Sequence, residues 1–350
     1  MVEKILHFVP NNDGWELALR QRVDPKALKK NRRPVAIFPG YGMNSFIFGY
    51  HPKKMSYEEY LASRGFEVWS IDMRKQGPSK KIDKAGDRIF GLKELITIDY
   101  PAALDYIAEN TKSTDKSGKI DCLGCSLAGS LLAAYFVLCK NNRVGALVSL
   151  GAPIRWVEIP AFVKMMFTSN SLIGLIPFKK SRELAGFFLP KLVKIPHLLD
   201  LYIHKEHTDM NYADQIIKTV EDPVPEINRE ISEWTKSKDL IMNGVNISEG
   251  LSKFTNPVLC VIANADGIVP PPNVRVLKDL VGSKVKDEIV IGNDKLPFAH
   301  ADLFVSDYAE ELHFKLVADW LEGLYGKEKA AAEKTVKKPA AAGAKKKKSA

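Results

Sequence analysis

Short apolar runs alternate with amphipathic stretches along most of this chain. Ile5 to Val9 and Glu16 to Gln21 alternate apolar and polar positions around the turn cluster Asn11, Asn12, Asp13 and Gly14, which predicts an amino-terminal hairpin. The runs PVAIF from Pro34, Phe66 to Ile71, Ile120 to Leu123, Ala146 to Leu150 and PVLCVI from Pro257 are short and nearly unbroken. Such runs suit strands covered on both faces. A last strand is expected at Glu288 to Ile291.

Helices fall between them. Ser56 precedes Glu58 and Glu59 in a first turn, and Gly65 stops that helix. Asp99 is expected to cap a helix in which Tyr100, Leu104, Ile107 and Ala108 share one face. Phe304, Tyr308, Leu312, Leu316 and Trp320 recur every four residues, widened by Val317 and Leu321 into a closing amphipathic helix. Repetition of strand, helix, strand implies right-handed crossovers and an α/β architecture, a mostly parallel sheet with helices on both faces. In such sheets ligands sit at the carboxyl ends of the strands.

The pattern breaks between 154 and 250, where FVKMMF, SLIGLIPF and LAGFFLP crowd apolar side chains between prolines and lysines. An inserted helical cap over 154–250 is expected, between core segments 1–153 and 251–326, with an apolar roof that would suit an acyl chain. From residue 327 to 350 the chain is a lysine- and alanine-rich tail, too poor in apolar residues to fold.

Charge changes the picture only once it is located. The chain of 350 residues carries a net +9, yet the tail holds nine lysines against Glu328 and Glu333, a net +7 that leaves +2 for the rest. The body is nearly neutral, so nothing in it argues for a nucleic-acid groove. The tail could touch anionic lipid or nucleic acid. Cys122, Cys125, Cys139 and Cys260 lie in apolar runs without zinc spacing, which fits a reduced setting. No apolar run reaches the roughly 18 residues of a membrane span, and the start lacks a signal-peptide pattern. A soluble, cytoplasmic protein is expected.

Candidate chemistry gathers at KIDCLGCSLAGSLLAAY, residues 119–135. An apolar run, a tight turn and a run of helix formers place Ser126 at the tip of a strand-to-helix elbow, with Gly124 and Ala128 small enough for the turn. The N–H of Leu127 would face negative charge developing beside that serine. After the PVAIF strand come Pro39, Gly40, Tyr41 and Gly42, where the Tyr41 amide is the candidate second donor. A serine hydroxyl needs a base, and the base needs a carboxylate to fix its tautomer. Asp266, just past the PVLCVI strand, and His300 supply them. His204 and His207 sit three apart near Asp209, but no further ligand is evident. HKEHTD is therefore read as a solvated helix end, and no metal or other cofactor is expected.

Between Trp15 and Leu324 the chain resembles the α/β-hydrolase superfamily. Residues 38–46 are similar to its HGxGxN loop, 65–79 to GFxVWxxDxRGxGxS, and 124–129 to GxSxGG. Residues 256–270 resemble the acid-bearing PVLxIAGxxDxIVPP, and 298–304 the GHxDL segment around the base. EWTKSKDLIMNGVNISEGL, residues 233–251, resembles a stretch of lipases and polyhydroxyalkanoate synthase-like members. Pro39 stands where histidine is usual, Cys125 where histidine is common, and Ala128 where glycine is common. The polymer synthases place cysteine at the nucleophile, whereas here it falls one residue early.

The resemblance implies the α/β-hydrolase fold and a serine hydrolase with Ser126, Asp266 and His300 as its triad, Tyr41 and Leu127 as oxyanion donors, and a hydrophobic small-molecule ester as substrate. Two other readings share these residues. One is acyl transfer, including polyester chemistry, through the same acyl-enzyme; the other is a non-catalytic scaffold that binds anionic surfaces through the basic tail.

Overall fold

A computed structural model of the chain describes residues 2–168 and 199–336. Eight strands form one sheet: β1 (Glu3–Pro10), β2 (Trp15–Val23), β3 (Val35–Phe38), β4 (Val68–Asp72), β5 (Ile120–Cys125), β6 (Val144–Leu150), β7 (Val258–Ala263) and β8 (Lys286–Ile291). Their spatial order is β1-β2-β4-β3-β5-β6-β7-β8, with a short strand at Lys80–Lys81 added to β2. The β1–β2 hairpin and the β2–β4 pair are antiparallel. From β4 to β8 every pair is parallel.

The apolar runs become central strands because both faces are covered. Alternate residues go to opposite sides, as the two-residue period demands. Ala36, Phe38, Cys122 and Cys260 join one apolar cluster. Val35, Ile37, Leu123 and Val261 join the other. Parallel pairing sets Phe38 beside Gly124 and Cys125 beside Leu150, so the ends of β3, β5 and β6 share one edge.

Helix α1 (Tyr57–Ser63) begins as its sequence predicts: Ser56 and Glu59 form a reciprocal capping box. Gly65 ends it at φ +90°, where a side chain would be strained. Helix α2 (Tyr100–Asn110) differs from expectation. Asp99 has helical dihedrals and makes no capping bond, because the helix is entered through a π-turn at Leu95–Asp99. Its carboxylate is taken instead by Arg74 Nη2 at 2.7 Å and Asn11 Nδ2 at 2.7 Å. Helix α3 (Leu127–Leu138) follows β5 and is buried over its first nine residues.

The connection between β6 and β7 contains α4 (Ala161–Thr168) and α5 (Pro225–Ser237). SLIGLIPF and LAGFFLP lie outside the described residues. HKEHTD is a series of turns, not a helix end, and its Thr208 is buried. After β7 come α6 (Pro271–Leu280) and the closing α7 (Lys315–Val336). The fourfold repeat read from Phe304 to Trp320 is not one helix face. A short helix at Asp302–Val305 ends at Ser306, and a π-turn at Glu310–Phe314 shifts the phase. Tyr308 and Leu316 are consequently exposed, while Phe314, Val317, Ala318 and Leu321 are buried. Helix α7 runs to Val336, past Lys327 where the tail was expected to start, and residues 337–350 lie outside the described ones. Among the described residues no helix is long and apolar enough to cross a membrane.

Candidate active site

Ser126 stands between β5 and α3 with φ 51° and ψ −127°. That region costs a non-glycine residue about 1–3 kcal/mol and persists only where its surroundings over-determine it. Here the Ser126 N–H donates to Leu150 O at 2.8 Å, and its carbonyl accepts from Gly129 N at 3.0 Å. The turn closes because Gly124 lacks a side chain.

The loop after β3 is equally constrained. A Cβ on Gly40 would lie 2.9 Å from Ser126 Cβ, so glycine lets the loop pass the serine. Beyond it, Ser45 N and Oγ donate to Asp72 at 2.7 and 2.8 Å. Gln76 Nε2 donates to Met43 O at 3.1 Å. The Arg74 guanidinium, buried between Asp99 and Asp13, holds the loop after β4 in place. The DMRKQGPS segment is thus a brace for its neighbour. Among the described residues neither the Tyr41 nor the Leu127 amide has a hydrogen-bond partner.

Asp266 follows the end of β7. Its Oδ1 accepts the amides of Ile268 at 2.9 Å and Val269 at 2.8 Å, and its Oδ2 lies 2.6 Å from His300 Nδ1. Both side chains are buried. A carboxylate only accepts, so Nδ1 carries the proton and the Nε2 lone pair is left as the base. Gly151, at φ +58°, ends β6 directly after the carbonyl that binds the Ser126 amide. A Cβ there would come within 3.3 Å of His300 Cε1 and 3.4 Å of Asp266 Oδ2. The end of β6 is therefore flanked by Ser126 on one side and the Asp266–His300 pair on the other.

Cys125 lies buried one residue before Ser126. Burial, then the nearby Asp266 charge, pushes its thiol up to about 12, so the thiolate is suppressed. Cys122, three residues before it, is also buried and both are free thiols. His204 and His207 have ring centroids 5.9 Å apart. Asp209 is turned to Lys53 at 3.3 Å, and no group of three possible metal ligands occurs among the described residues.

Ser126 borders a cavity of about 70 Å³ walled by Tyr41, Trp156, Val163, Phe167, Ile231 and Trp234. Sequence reasoning missed Trp156, Trp234 and Gly151. The run Gly151-Ala152-Pro153, small residues after a buried strand, was the available signal for the last. The rings of Trp156 and Trp234 meet edge-on at 5.7 Å, and Tyr41 meets Phe167 at 5.9 Å. Burial raises the Tyr41 phenol, which stays protonated. The larger groove, about 550 Å³, lies beside Glu226, Arg229 and Glu233 and is not lined by Ser126.

The profile of the family described as alpha/beta hydrolase fold matches residues 33–295. The chain belongs to that family. Solved structures agree on the fold of this α/β hydrolase. An esterase from Exiguobacterium antarcticum is 13% identical, with a TM-score of 0.55, covering 91% of this chain and 100% of its own. A thermophilic esterase from Thermogutta terrifontis is 13% identical, TM-score 0.57, covering 92% and 98%. A monoacylglycerol lipase from Paleococcus ferrophilus is 17% identical, TM-score 0.51, covering 87% and 98%. No curated protein matches the sequence.

Proposed function

We propose that this α/β hydrolase is a serine hydrolase that cleaves a carboxylic ester with a hydrophobic acyl group. The observation that carries the reading is the His300 Nδ1–Asp266 Oδ2 contact of 2.6 Å at the strand end whose carbonyl binds the Ser126 amide. Ser126 Oγ attacks the ester carbonyl while His300 Nε2 takes its proton, and Asp266 stabilises the imidazolium. The unpartnered amides of Leu127 and Tyr41 receive the oxyanion. His300 then gives the proton to the leaving alcohol. Water, deprotonated by the same nitrogen, attacks the acyl-enzyme and releases the acid and Ser126.

The aromatic cavity beside Ser126 supports an apolar acyl group, since among the described residues its polar side-chain atoms are those of Ser126, the Tyr41 phenol and two buried indole nitrogens. Trp156, Val163, Phe167, Ile231 and Trp234, which wall this cavity, all come from residues 154–250, which supports reading that insertion as a cap over the acyl group. The names of three structural neighbours, two esterases and a lipase, point the same way. The test is labelling with a fluorophosphonate probe followed by mass spectrometry of the modified peptide. Adduct on Ser126 is the expected result; adduct elsewhere or none at all removes the assignment.

A further inference from the structure

Asp302 lies two residues after His300, is wholly buried, and has no Lys or Arg beside it among the described residues. A buried carboxylate without a cation is costly unless several donors satisfy it. Burial pushes this one up to about 7, even though it accepts three donors. Those donors come from two places. Oδ2 accepts the Ala299 amide at 2.8 Å, closing the turn that carries His300. The His204 amide approaches both oxygens, Oδ1 at 3.1 Å and Oδ2 at 3.2 Å, and Oδ1 also accepts the Thr208 hydroxyl at 3.3 Å, both donors coming from the middle of the β6–β7 insertion.

That return leg, residues 199–208, crosses the whole acid–base pair. The Gly267 amide, next to Asp266, donates to Leu201 O at 3.0 Å. The Ala301 amide, next to His300, donates to Tyr202 O at 2.8 Å. The Tyr202 ring lies 6.0 Å from the His300 ring, tilted by 33°. Glycine at 267 is what admits the leg, because a Cβ there would fall 2.7 Å from Leu201 Cα. The amides on both sides of His300 are thus used, one by Asp302 and one by the leg that Asp302 also grips.

We propose that Asp302 is a positioning residue for His300, which couples the base to the seating of the insertion's return leg. The inference rests on the serine-hydrolase reading for its effect on turnover, but not for its effect on the imidazole. With the leg seated, the base loop has both flanking amides fixed and the ring is held against Asp266. With the leg displaced, Asp302 and the Ala301 amide lose partners together, and the base is no longer held.

The test compares the full-length wild type with Asp302→Asn. An amide keeps one acceptor oxygen and turns the other into an NH₂ group: facing the Ala299 amide it breaks the base-loop attachment, and facing the leg it takes the 3.1 Å contact from the His204 amide and leaves the Thr208 hydroxyl only as its acceptor. A misplaced catalytic group costs about 10²-fold, so kcat on a short nitrophenyl ester and the fluorophosphonate labelling rate are expected to fall by about that factor. KM is expected to stay within about twofold, because the aromatic cavity is untouched. The His300 imidazole titration, followed by NMR, is expected to shift. A folded Asp302→Asn variant with wild-type kcat and an unmoved His300 titration would overturn the proposal. Should the wild type fail to label while the His300 titration still moves in the variant, positioning stands and the serine-hydrolase reading falls. Where Asp302→Asn does not fold, Thr208→Val removes only the leg-side hydroxyl. It is expected to lower kcat several-fold and shift the titration at an unchanged melting temperature; no change in either sinks the idea.

Discussion

Gly124 and Gly129 touch backbone to backbone beneath Ser126: a Cβ on Gly124 would lie 2.4 Å from Gly129 Cα. The contact spans the turn and sets how closely α3 enters behind β5. A Cβ on Gly129 would in turn meet Ala152 Cβ at 2.5 Å. Backbone cannot rotate away as a side chain can. Gly124→Ala should therefore lower unfolding free energy by about 1–3 kcal/mol, the range for overpacked cores, and slow probe labelling of Ser126. Urea unfolding and labelling rates check both. Wild-type values for the variant would show that the elbow relaxes at no cost.

Asp266→Asn should leave the fold intact and lower kcat on the order of 10⁴-fold, because an amide cannot hold the His300 tautomer that leaves Nε2 free. Ser126→Ala should abolish turnover by a similar or larger factor. Steady-state kinetics on nitrophenyl esters, with circular dichroism for folding, are sufficient. Comparable activity in a folded Ser126→Ala would remove this serine as nucleophile.

His313 and Asp302 should pull stability in opposite directions between pH 4 and 7. His313 is buried among Tyr57, Phe304 and Phe314, and burial lowers its imidazole to about 4. The unfolded chain takes up that proton near pH 6.5 while the folded one does not. Its contribution is present above pH 6.5 and shrinks by about 3 kcal/mol as pH falls to 4. Asp302 is raised to about 7, so the folded state holds its proton more tightly than the unfolded one. Its contribution is present below pH 4 and is lost by about 4 kcal/mol as pH rises through 7. Thermal unfolding of His313→Phe and Asp302→Asn against wild type across this range separates them. Parallel curves for wild type and either variant would remove that residue from the account.

Trp234 should limit acyl length. It belongs to the cavity wall, and among the described residues its indole nitrogen has no hydrogen-bond partner, so its removal strands nothing polar there. Trp234→Ala should raise the ratio of kcat/KM for octanoate over acetate esters by about tenfold or more, given that each added methylene in an apolar pocket counts for 1–3 kcal/mol. An unchanged ratio would place the acyl group elsewhere.

Much of the fold was legible, and the misreadings share a cause. The hairpin, the α1 capping box and the elbow are local, since the residues that make each lie within a few positions of one another. Asp99 was read as a cap because aspartate suits caps, yet Arg74 is the group that claims it. The two are brought together by the β4 loop and the π-turn, which no periodicity reveals. The phase of the closing helix was lost at the π-turn of Glu310–Phe314, where an added residue per turn rotates the buried face. The segment around His204 looked solvated because its composition is polar. In fact the His204 amide goes to Asp302, and the Leu201 and Tyr202 carbonyls accept the Gly267 and Ala301 amides.

By itself, the sequence determined the strand-and-helix order, the elbow at Ser126 and the glycines that make room for it, because steric limits on a tight turn act between neighbours. Only the tertiary structure decided that Asp266 meets His300, that Trp156 meets Trp234, and that residues 201–208 grip the base loop. Those partners are far apart along the chain, and what joins them is the register of parallel strands and the loss of water on burial. Neither leaves a mark on any one stretch of residues.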